Sequence, residues 1–226
     1  MEFHPLKCQH VTFTRKTTKR ANHTFKLHST SIPKADKTKY LGVTINSKVT
    51  WNDHISSVVA KANAALGFVR RNVITNSKTI KLTDYKQLVR PLMEYASAAW
   101  DSLPGTLESS LESVQRRAAR FICSILRTDH QTSTTGLLAK LNLDNLVSRR
   151  TDARLRVFKQ YHFSENNVIL SHLQRAPAPS ARRHSHQYLI PHSNTLHHQR
   201  SYFVKTAKQW NNLPATSGFL VPPSAH

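Results

Sequence analysis

The stretch that decides the fold of this chain is Asp84–Ile122, which reads DYKQLVRPLMEYASAAW over 84–100, LPGT over 103–106 and LESSLESVQRRAARFI over 107–122. Apolar residues recur in both halves at the three- and four-residue spacing of a helix with one buried face. They are Leu88, Val89, Leu92, Tyr95, Ala96 and Ala99, then Leu107, Leu111, Val114, Ala118, Phe121, Ile122 and Ile125. The pattern predicts two helices, over 78–100 and 107–127, that pack as an antiparallel pair.

Two local signals refine this helix pair. Pro91 lacks a backbone N–H, so the first helix is expected to kink or divide near Val89. The segment 103–106 is expected to form a turn, with Thr106 as the N-cap of the second helix. The residues expected between the two helices are Leu92, Tyr95, Leu111, Val114 and Phe121.

The segments on either side complete the predicted architecture. Alternating apolar residues favour short strands over 9–14, 24–28 and 39–45, with Gly42 inside the third strand. Helical spacing then begins, with Thr50 and Asp53 suited to a capping box. The apolar stripe of this helix is Ile55, Val58, Val59, Ala62, Leu66 and Val69. Further helices are predicted over 136–141, 144–162 and 199–213. The fold class expected is mainly α with a small N-terminal antiparallel β-sheet and a helical bundle.

The composition indicates a polyanionic partner. Lys and Arg number 33 against 12 Asp and Glu, which gives a formal net charge of +21. An excess this large favours nucleic acid as the partner and, second, an acidic membrane surface. No apolar run approaches the ~18–20 residues that span a bilayer. The N-terminus lacks the apolar core of a signal peptide. We therefore expect a soluble intracellular protein that does not cross a membrane.

The residue pattern argues against several kinds of chemistry. Two-metal phosphoryl transfer needs closely placed carboxylates, and this sequence has no two adjacent acidic residues. Histidines accumulate over 184–198 at irregular spacing and without a nearby cysteine, which favours a solvated basic loop over a metal site. The glycines are isolated, so no phosphate-binding loop is indicated. Neither a metal nor a cofactor is expected in this chain.

Arginines on predicted helices are the strongest functional signal from the residues themselves. The candidate nucleic-acid-binding residues are Arg70, Arg71, Arg116, Arg117, Arg120, Arg149, Arg150 and Arg154. Arginine pairs bidentately with phosphate. The competing interpretation is a solvated face with local ion pairs, such as Glu112 with Arg116. Because acids are too few to neutralise these arginines, we favour phosphate contact.

Ordered motifs along almost the whole chain resemble the C-terminal part of the reverse transcriptase of non-LTR retrotransposons of the jockey and CR1 type. They are KYLGV (39–43), Trp51, His54, KA (61–62), LG (66–67), RR (70–71), Tyr85, LVRP (88–91), EYA (94–96), WD (100–101), ESVQRRAARF (112–121), Leu141, Leu146, RR (149–150), RL (154–155), SYF (201–203) and WNNLP (210–214).

The resemblance implies a division of the chain into functional parts. Residues 1–50 resemble the end of the palm, in which Lys7 matches a lysine on the pyrophosphate side. The segment Tyr40, Leu41, Gly42 and Val43 resembles the hairpin that grips the primer end. Residues 51–127 resemble the helical thumb, which tracks the template–primer duplex. Residues 128–163 resemble a helical C-terminal extension. We expect a basic connection over 164–198, a C-terminal helix over 199–214 and a disordered tail over 215–226.

The resemblance also implies which activity this chain lacks. The paired catalytic aspartates of the family, which hold Mg²⁺ in the full-length enzyme, have no counterpart here and are expected upstream, as are the rest of the palm and the fingers. The chain is therefore interpreted as a truncated fragment of an RNA-directed DNA polymerase, without catalysis of its own. Its implied partners are RNA, DNA or an RNA–DNA hybrid, in a nuclear or cytoplasmic ribonucleoprotein. The alternative is a non-enzymatic basic helical binding or interaction protein, such as a retrotransposon remnant.

Overall fold

Helices make up most of the structure, a computed structural model that describes residues 4, 7–14, 23–125, 132–164, 170–177 and 184–222. The strands are β1 (Lys26–Leu27), β2 (Thr30–Ser31), β3 (Lys37–Tyr40) and β4 (Val43–Asn46). The helices are α1 (Asn52–Asn72), α2 (Lys78–Asp84), a π-helical turn (Tyr85–Val89), α3 (Arg90–Glu94), α4 (Ser97–Trp100), α5 (Gly105–Ile122), α6 (Thr134–Lys140), α7 (Leu146–Phe163), α8 (Leu196–Gln199) and α9 (Tyr202–Asn211). The predicted class, mainly α with a small N-terminal antiparallel β structure, is confirmed. The chain divides into two units, Met1–Lys61 and Ala62–His226.

The β structure of the first unit consists of two two-stranded antiparallel sheets, β1–β2 and β3–β4. The single strand predicted over 39–45 is wrong, because the chain reverses at Leu41 and Gly42, whose φ angles are 44° and 82°. Two successive positive φ angles are typical of a tight hairpin turn, and glycine adopts them without steric cost. The strand predicted over 9–14 is reduced to a parallel bridge between His10 and Lys34.

Helix α1 carries the apolar stripe expected of it. Ile55, Val58, Ala62, Leu66 and Val69 are buried. The predicted capping box is replaced by a network around the side chain of Asn46. Its Oδ1 accepts from the backbone N–H of Thr50 at 2.8 Å, and its Nδ2 donates to Asp53 Oδ2 at 3.1 Å.

The first helix of the predicted pair is divided near Val89, as the position of Pro91 indicates. The division takes the form of the π-helical turn, in which the N–H of Arg90 donates to the carbonyl of Tyr85. A second break was not predicted and lies at Ala96, which has a left-handed φ of 51°. There the indole Nε1–H of Trp100 donates to the carbonyl of Tyr95 at 2.9 Å. The break thereby lets the buried indole of Trp100 pack against the backbone at Tyr95.

The π-helical turn changes which face of the segment is buried. The inward positions are Lys81, Tyr85, Val89, Met93, Ser97 and Trp100. The first five recur every four residues, which a continuous α-helix of 3.6 residues per turn cannot keep on one side. The wider π turn absorbs the difference. Leu92 and Tyr95, expected in the core, are instead exposed.

The predicted antiparallel pairing with α5 is confirmed by two side-chain hydrogen bonds. Lys81 Nζ donates to Ser124 Oγ at 3.0 Å, and Tyr85 Oη donates to Gln115 Oε1 at 2.7 Å. As the first segment advances from Lys81 to Tyr85, its partner moves back from Ser124 to Gln115, so the two segments run in opposite directions. Helix α5 begins at Gly105 after Pro104, so the N-cap predicted at Thr106 is wrong.

The C-terminal part of the second unit has its own apolar core. Its buried members are Leu155, Phe158, Leu170, Leu173, Tyr188, Ala207, Trp210 and Leu220. Residues 170–177 and 184–190 contribute to this core, whereas the sequence predicts a poorly packed connection there. Large apolar side chains such as Tyr188 provide the burial that the prediction overlooked. Leu220, from the predicted tail, is also buried; residues 223–226 lie outside the described part of the chain.

Within the described residues, no helix has the length and apolarity needed to cross a membrane.

Candidate nucleic-acid interface

Three arginines converge on one surface cavity of the second unit. Arg70, at the end of α1, and Arg117 and Arg120, near the end of α5, line a space of about 210 Å³ together with Ile125. Both helices present these cations near their C-termini, where the helix dipole favours positive charge. The dipole stabilises the guanidinium charges at these positions, and the three guanidinium groups themselves are what would attract a phosphate group.

Phe121 forms an aromatic support beside this cavity. Its ring centroid lies 5.8 Å from the guanidinium carbon of Arg70 and 5.1 Å from Lys81 Nζ. Cations at such distances from an aromatic face are attracted by its quadrupole. Phe121, expected to pack between the two predicted helices, contacts Lys81 of α2 but is only half-buried; Ile122 is the residue that α5 buries fully here.

The remaining arginines of α1 and α5 face solvent. Arg71 and Arg116 are exposed, as is Arg117, whose Nε donates to the carbonyl of Ser113 at 3.2 Å. Glu112 does not form the ion pair with Arg116 that its i, i+4 spacing suggests. Its Oε1 accepts from the backbone N–H groups of Leu146 and Val147 at the start of α7. Arg116 and Arg117 thus lie on the solvent-exposed side of α5.

The arginines of α7 lie in a different environment. Arg150 and Arg154 are buried around Asp101, also buried. Arg150 Nε donates to Asp101 Oδ1 at 3.0 Å, and Arg154 Nη1 pairs with Asp101 Oδ2. Lys205 Nζ approaches the same Oδ2 at 3.2 Å and donates to the Asp101 carbonyl at 2.8 Å. We call Asp101, Arg150, Arg154 and Lys205 the Asp101 cluster.

Arg149, the third arginine of α7 predicted to bind nucleic acid, forms a bidentate ion pair with Glu94. One of its two contacts, from Nη2 to Oε2, measures 3.0 Å. This hydrogen bond raises the pKa of Arg149. The three α7 arginines predicted to bind nucleic acid are thus engaged by two carboxylates, whereas Arg71, Arg116 and Arg117 are exposed.

Burial weakens the charged forms within the Asp101 cluster. It lowers the pKa of Arg154 to about 10. Burial, followed by repulsion from Arg154, lowers the pKa of Lys205 to about 8. The pKa of Arg150 is also lowered by burial. Because one carboxylate faces three cationic side chains, the cluster is incompletely neutralised.

The primer-grip-like segment lies in the first unit, at the tip of the β3–β4 hairpin. Tyr40 and Leu41 are 66% and 72% exposed, and Gly42 shapes the turn. Val43, in contrast, is buried at the start of β4. Two large apolar side chains at a hairpin tip suit contact with another molecule. The role in gripping a primer stays a prediction.

Lys7 is exposed, and its backbone N–H donates to the carbonyl of His4 at 3.0 Å. The role that the resemblance implies for it, on the pyrophosphate side, also stays a prediction.

No group of three or more metal-ligating side chains occurs within the described residues. His184 and His186 pack against the C-terminal core, whereas His192 and His198 are exposed. His184 Nε2–H donates to the carbonyl of Trp210 at 2.9 Å, while its Nδ1 accepts from the N–H of His186. His162 Nδ1 lies 2.7 Å from Tyr188 Oη. The predicted solvated loop is therefore wrong for His184, which the indole of Trp210 and its carbonyl hold in place.

Sequence reasoning missed the residues that hold the α7 arginines. The motifs WD (100–101) and EYA (94–96) contain Asp101 and Glu94, but the sequence gives neither of them a role in holding an arginine, and it does not single out Lys205. One signal was present: Asp101 stands between Trp100 and Leu103, both of which the structure buries. An acid flanked by large apolar residues is expected to need a cationic partner.

Comparison with known proteins finds one that this chain resembles over half its length. It is the probable RNA-directed DNA polymerase from transposon X-element of Drosophila melanogaster, which is 25% identical over 119 residues. The aligned segment covers 51% of this chain and 13% of that protein, so the chain spans a small part of the relative's length. No family model matches the chain, and no solved structure matches it. The similarity supports a reverse-transcriptase-like relationship.

Proposed function

We propose that this chain binds duplex or hybrid nucleic acid, without strong sequence preference, through the arginine surface of α1 and α5. The surface consists of Arg70, Arg71, Arg116, Arg117 and Arg120. The observation that carries the proposal is the cavity of about 210 Å³ that Arg70, Arg117 and Arg120 line together. The activity for which the Drosophila relative is named, RNA-directed DNA polymerase, supports nucleic acid as the partner class.

The chemistry of this surface suits a phosphodiester backbone better than a base edge. Guanidinium groups match phosphate geometry bidentately. Contacts to phosphate position a protein on nucleic acid but carry little sequence information. Phe121 and Ile125 add apolar area beside the cations, where the sugar of a bound strand would lie. The binding is therefore expected to depend on charge and shape.

The finer assignment follows the family resemblance. We propose that residues 51–127 act as a thumb-like element of the jockey and CR1 type, and that residues 1–50 correspond to the end of a palm. Sequence-adjacent carboxylates that would hold two magnesium ions are lacking in this chain. We therefore propose that the chain contributes nucleic-acid contacts and does not polymerise by itself.

Binding is tested by titrating a labelled RNA–DNA hybrid with the full chain at two salt concentrations. Each phosphate contact is expected to contribute about −0.9 to the slope of log affinity against log salt concentration. Arg117→Ala removes one exposed guanidinium of the cavity and is expected to reduce the slope by about 1. Arg156→Ala, at an exposed position of α7, is the matched control and is expected to leave affinity nearly unchanged.

Equal affinity of the parent at both salt concentrations would contradict backbone contact and favour the alternative of a helical interaction protein. Equal losses in the two variants would show that net charge, rather than the α1–α5 surface, determines binding.

Catalysis is tested separately by primer extension on an RNA template with Mg²⁺. The expected result is no incorporation above a buffer control. Incorporation that requires Mg²⁺ would overturn the proposal that the chain lacks polymerase activity.

A further inference from the structure

A small cavity lies beside the Asp101 cluster, between α4, α7 and α9 of the second unit. Its volume is about 20 Å³, and its polar lining comes from Asp101, Ser102, Arg154, Arg200, Tyr202 and Lys205. A water-sized occupant needs about 10–15 Å³. The cavity therefore has room for one small occupant and not for a phosphodiester or a nucleotide.

The charge around this cavity is unbalanced. Asp101 is the one carboxylate among the lining residues, and both of its oxygens already face cations. Arg150, Arg154 and Lys205 surround it, and Arg200 adds a fourth cation at the rim. Glu108 attracts Arg150 and Lys205 at longer range, but burial outweighs it, since the pKa of each is lowered. The cluster thus retains excess positive charge in a site largely removed from water.

Hydrogen-bond donors around the cavity also lack acceptors. Within the described residues, Arg154 Nε and Tyr202 Oη are buried without a hydrogen-bond partner, although both residues line the cavity. Arg150, which belongs to the cluster but does not line the cavity, has two further buried and unpartnered nitrogens, Nη1 and Nη2. Buried donors without acceptors are costly, and those of a charged group more so. An occupant that only accepts hydrogen bonds would remove this cost.

We propose that this cavity binds one small inorganic anion of chloride size, held by Arg154, Tyr202 and Lys205. A water molecule would fill the space but would leave the positive charge uncompensated, and its own hydrogens would face a lining rich in donors. A sulfate or phosphate is larger than the cavity. Chloride supplies a single negative charge and accepts from several donors at once.

The cavity has a route to solvent. Arg200 and Ala99, which also line it, are exposed. An ion can therefore exchange past the Arg200 side chain without unfolding of α4 or α9. This site is separate from the α1–α5 arginine surface, because it shares no residue with it.

The proposal is tested by measuring the Tm of the full chain as sodium chloride replaces sodium gluconate at constant ionic strength. Constant ionic strength removes general screening, and gluconate is too large for the cavity. Chloride is expected to raise the Tm in a saturable way, by about 2–4 °C once its concentration is about five times the Kd. Broadening of the chloride NMR signal by the protein gives an independent readout.

Tyr202→Phe is the decisive variant because it removes one proposed donor and keeps the ring. In gluconate its Tm is expected to equal or exceed that of the parent, since an unpartnered buried hydroxyl is gone. In chloride it is expected to lose most of the rise and most of the line broadening. Tyr40→Phe changes the same group at an exposed position of the first unit and is expected to respond as the parent does.

Three results would overturn the proposal. Equal parent Tm in chloride and gluconate would indicate that water is the occupant. A larger rise in sulfate than in chloride would show that the site takes an oxyanion. An unchanged chloride response in Tyr202→Phe would place the ion elsewhere on this basic protein.

Discussion

Asp101 lies among three cationic side chains, and each of these side chains also contacts a second group in the fold. Arg150 stacks near Trp100, with its guanidinium carbon 5.9 Å from the ring centroid. Arg154 donates to Gln209 on α9. Lys205 contacts the carbonyl as well as the carboxylate of Asp101. One carboxylate thereby joins the end of α4 to α7 and α9.

Replacing Asp101 with Asn is therefore expected to destabilise the chain by about 3–5 kcal/mol, the cost of leaving buried charges without their partner. Glu94→Gln, which breaks the more exposed pair with Arg149, is the matched control. Its expected cost is about 0.5–1 kcal/mol, because solvent screens that pair. Urea unfolding followed by circular dichroism measures both. Similar losses in the two variants would contradict a special role for the Asp101 cluster.

Because of His162, the free energy of unfolding is expected to change with pH in the mildly acidic range. Burial lowers its pKa from 6.5 to about 4, and His186, Arg175 and His184 add repulsion to its charged form. Tyr188 faces it through a hydrogen bond. Between pH 6.5 and 4 the unfolded chain binds a proton at this position that the folded chain resists. The free energy of unfolding therefore falls as pH decreases through that window.

The expected loss attributable to His162 is roughly 2 kcal/mol between pH 6.5 and 4. Urea unfolding at several pH values measures it, and His162→Gln is expected to show a flatter profile over the same window. His54, whose pKa is also lowered by burial, stays intact in both proteins and is thereby controlled. Parallel profiles for the parent and the variant would contradict this assignment.

At the scale of elements, α5 has one face for the core and another for the candidate interface. Leu111, Val114, Ala118 and Ile122 are buried, while Arg116 and Arg117 are exposed. Phe121 lies at the boundary, half-buried between Arg70 and Lys81. The residues of α5 that stabilise the fold and those proposed to bind nucleic acid thus lie on different sides of the helix.

This separation predicts a graded series of substitutions. Ile122→Ala is expected to cost about 2–5 kcal/mol, the range for emptying a fully buried aliphatic site. Phe121→Ala is expected to cost less, about 1–3 kcal/mol, because solvent already reaches the ring. Arg117→Ala is expected to stay within about 0.5 kcal/mol of the parent. Urea midpoints give the order, and a larger loss for Arg117→Ala than for Ile122→Ala would show that the faces are reversed.

At the scale of the whole molecule, the net charge of +21 opposes the folded state. Like charges repel more strongly when the chain is compact, and salt screens that repulsion. The screening length falls from about 30 Å at 0.01 M salt to about 10 Å at 0.1 M. General electrostatics therefore acts on this protein in addition to any specific anion.

The Tm is accordingly expected to rise when sodium gluconate is increased from about 0.01 M to about 0.1 M. Gluconate is chosen because it screens charge without entering the Asp101 cavity. A falling Tm would indicate that favourable ion pairs, such as Arg149 with Glu94, outweigh the general repulsion.

The positions of most helices could be predicted from the sequence. Apolar periodicity located α1, α5 and α7, and Pro91 indicated the division near Val89. These features depend on residues within one or two helical turns, so they can be predicted from the local sequence. The family resemblance implied a hairpin at Leu41 and Gly42, but the residue pattern predicted one strand there, because an uninterrupted β-rich run looks the same whether or not the chain reverses.

Of the candidate interface, the sequence by itself determined the cationic character and the arginines that carry it. It could not separate Arg117, which is exposed, from Arg150, which is buried, since both occupy the same kind of basic pair on an amphipathic helix. The tertiary structure decided between them by bringing Asp101 to Arg150 across 49 residues of chain. The reason is physical: helix formation depends on neighbours along the chain, whereas the state of a charge depends on which distant carboxylate the packing places beside it.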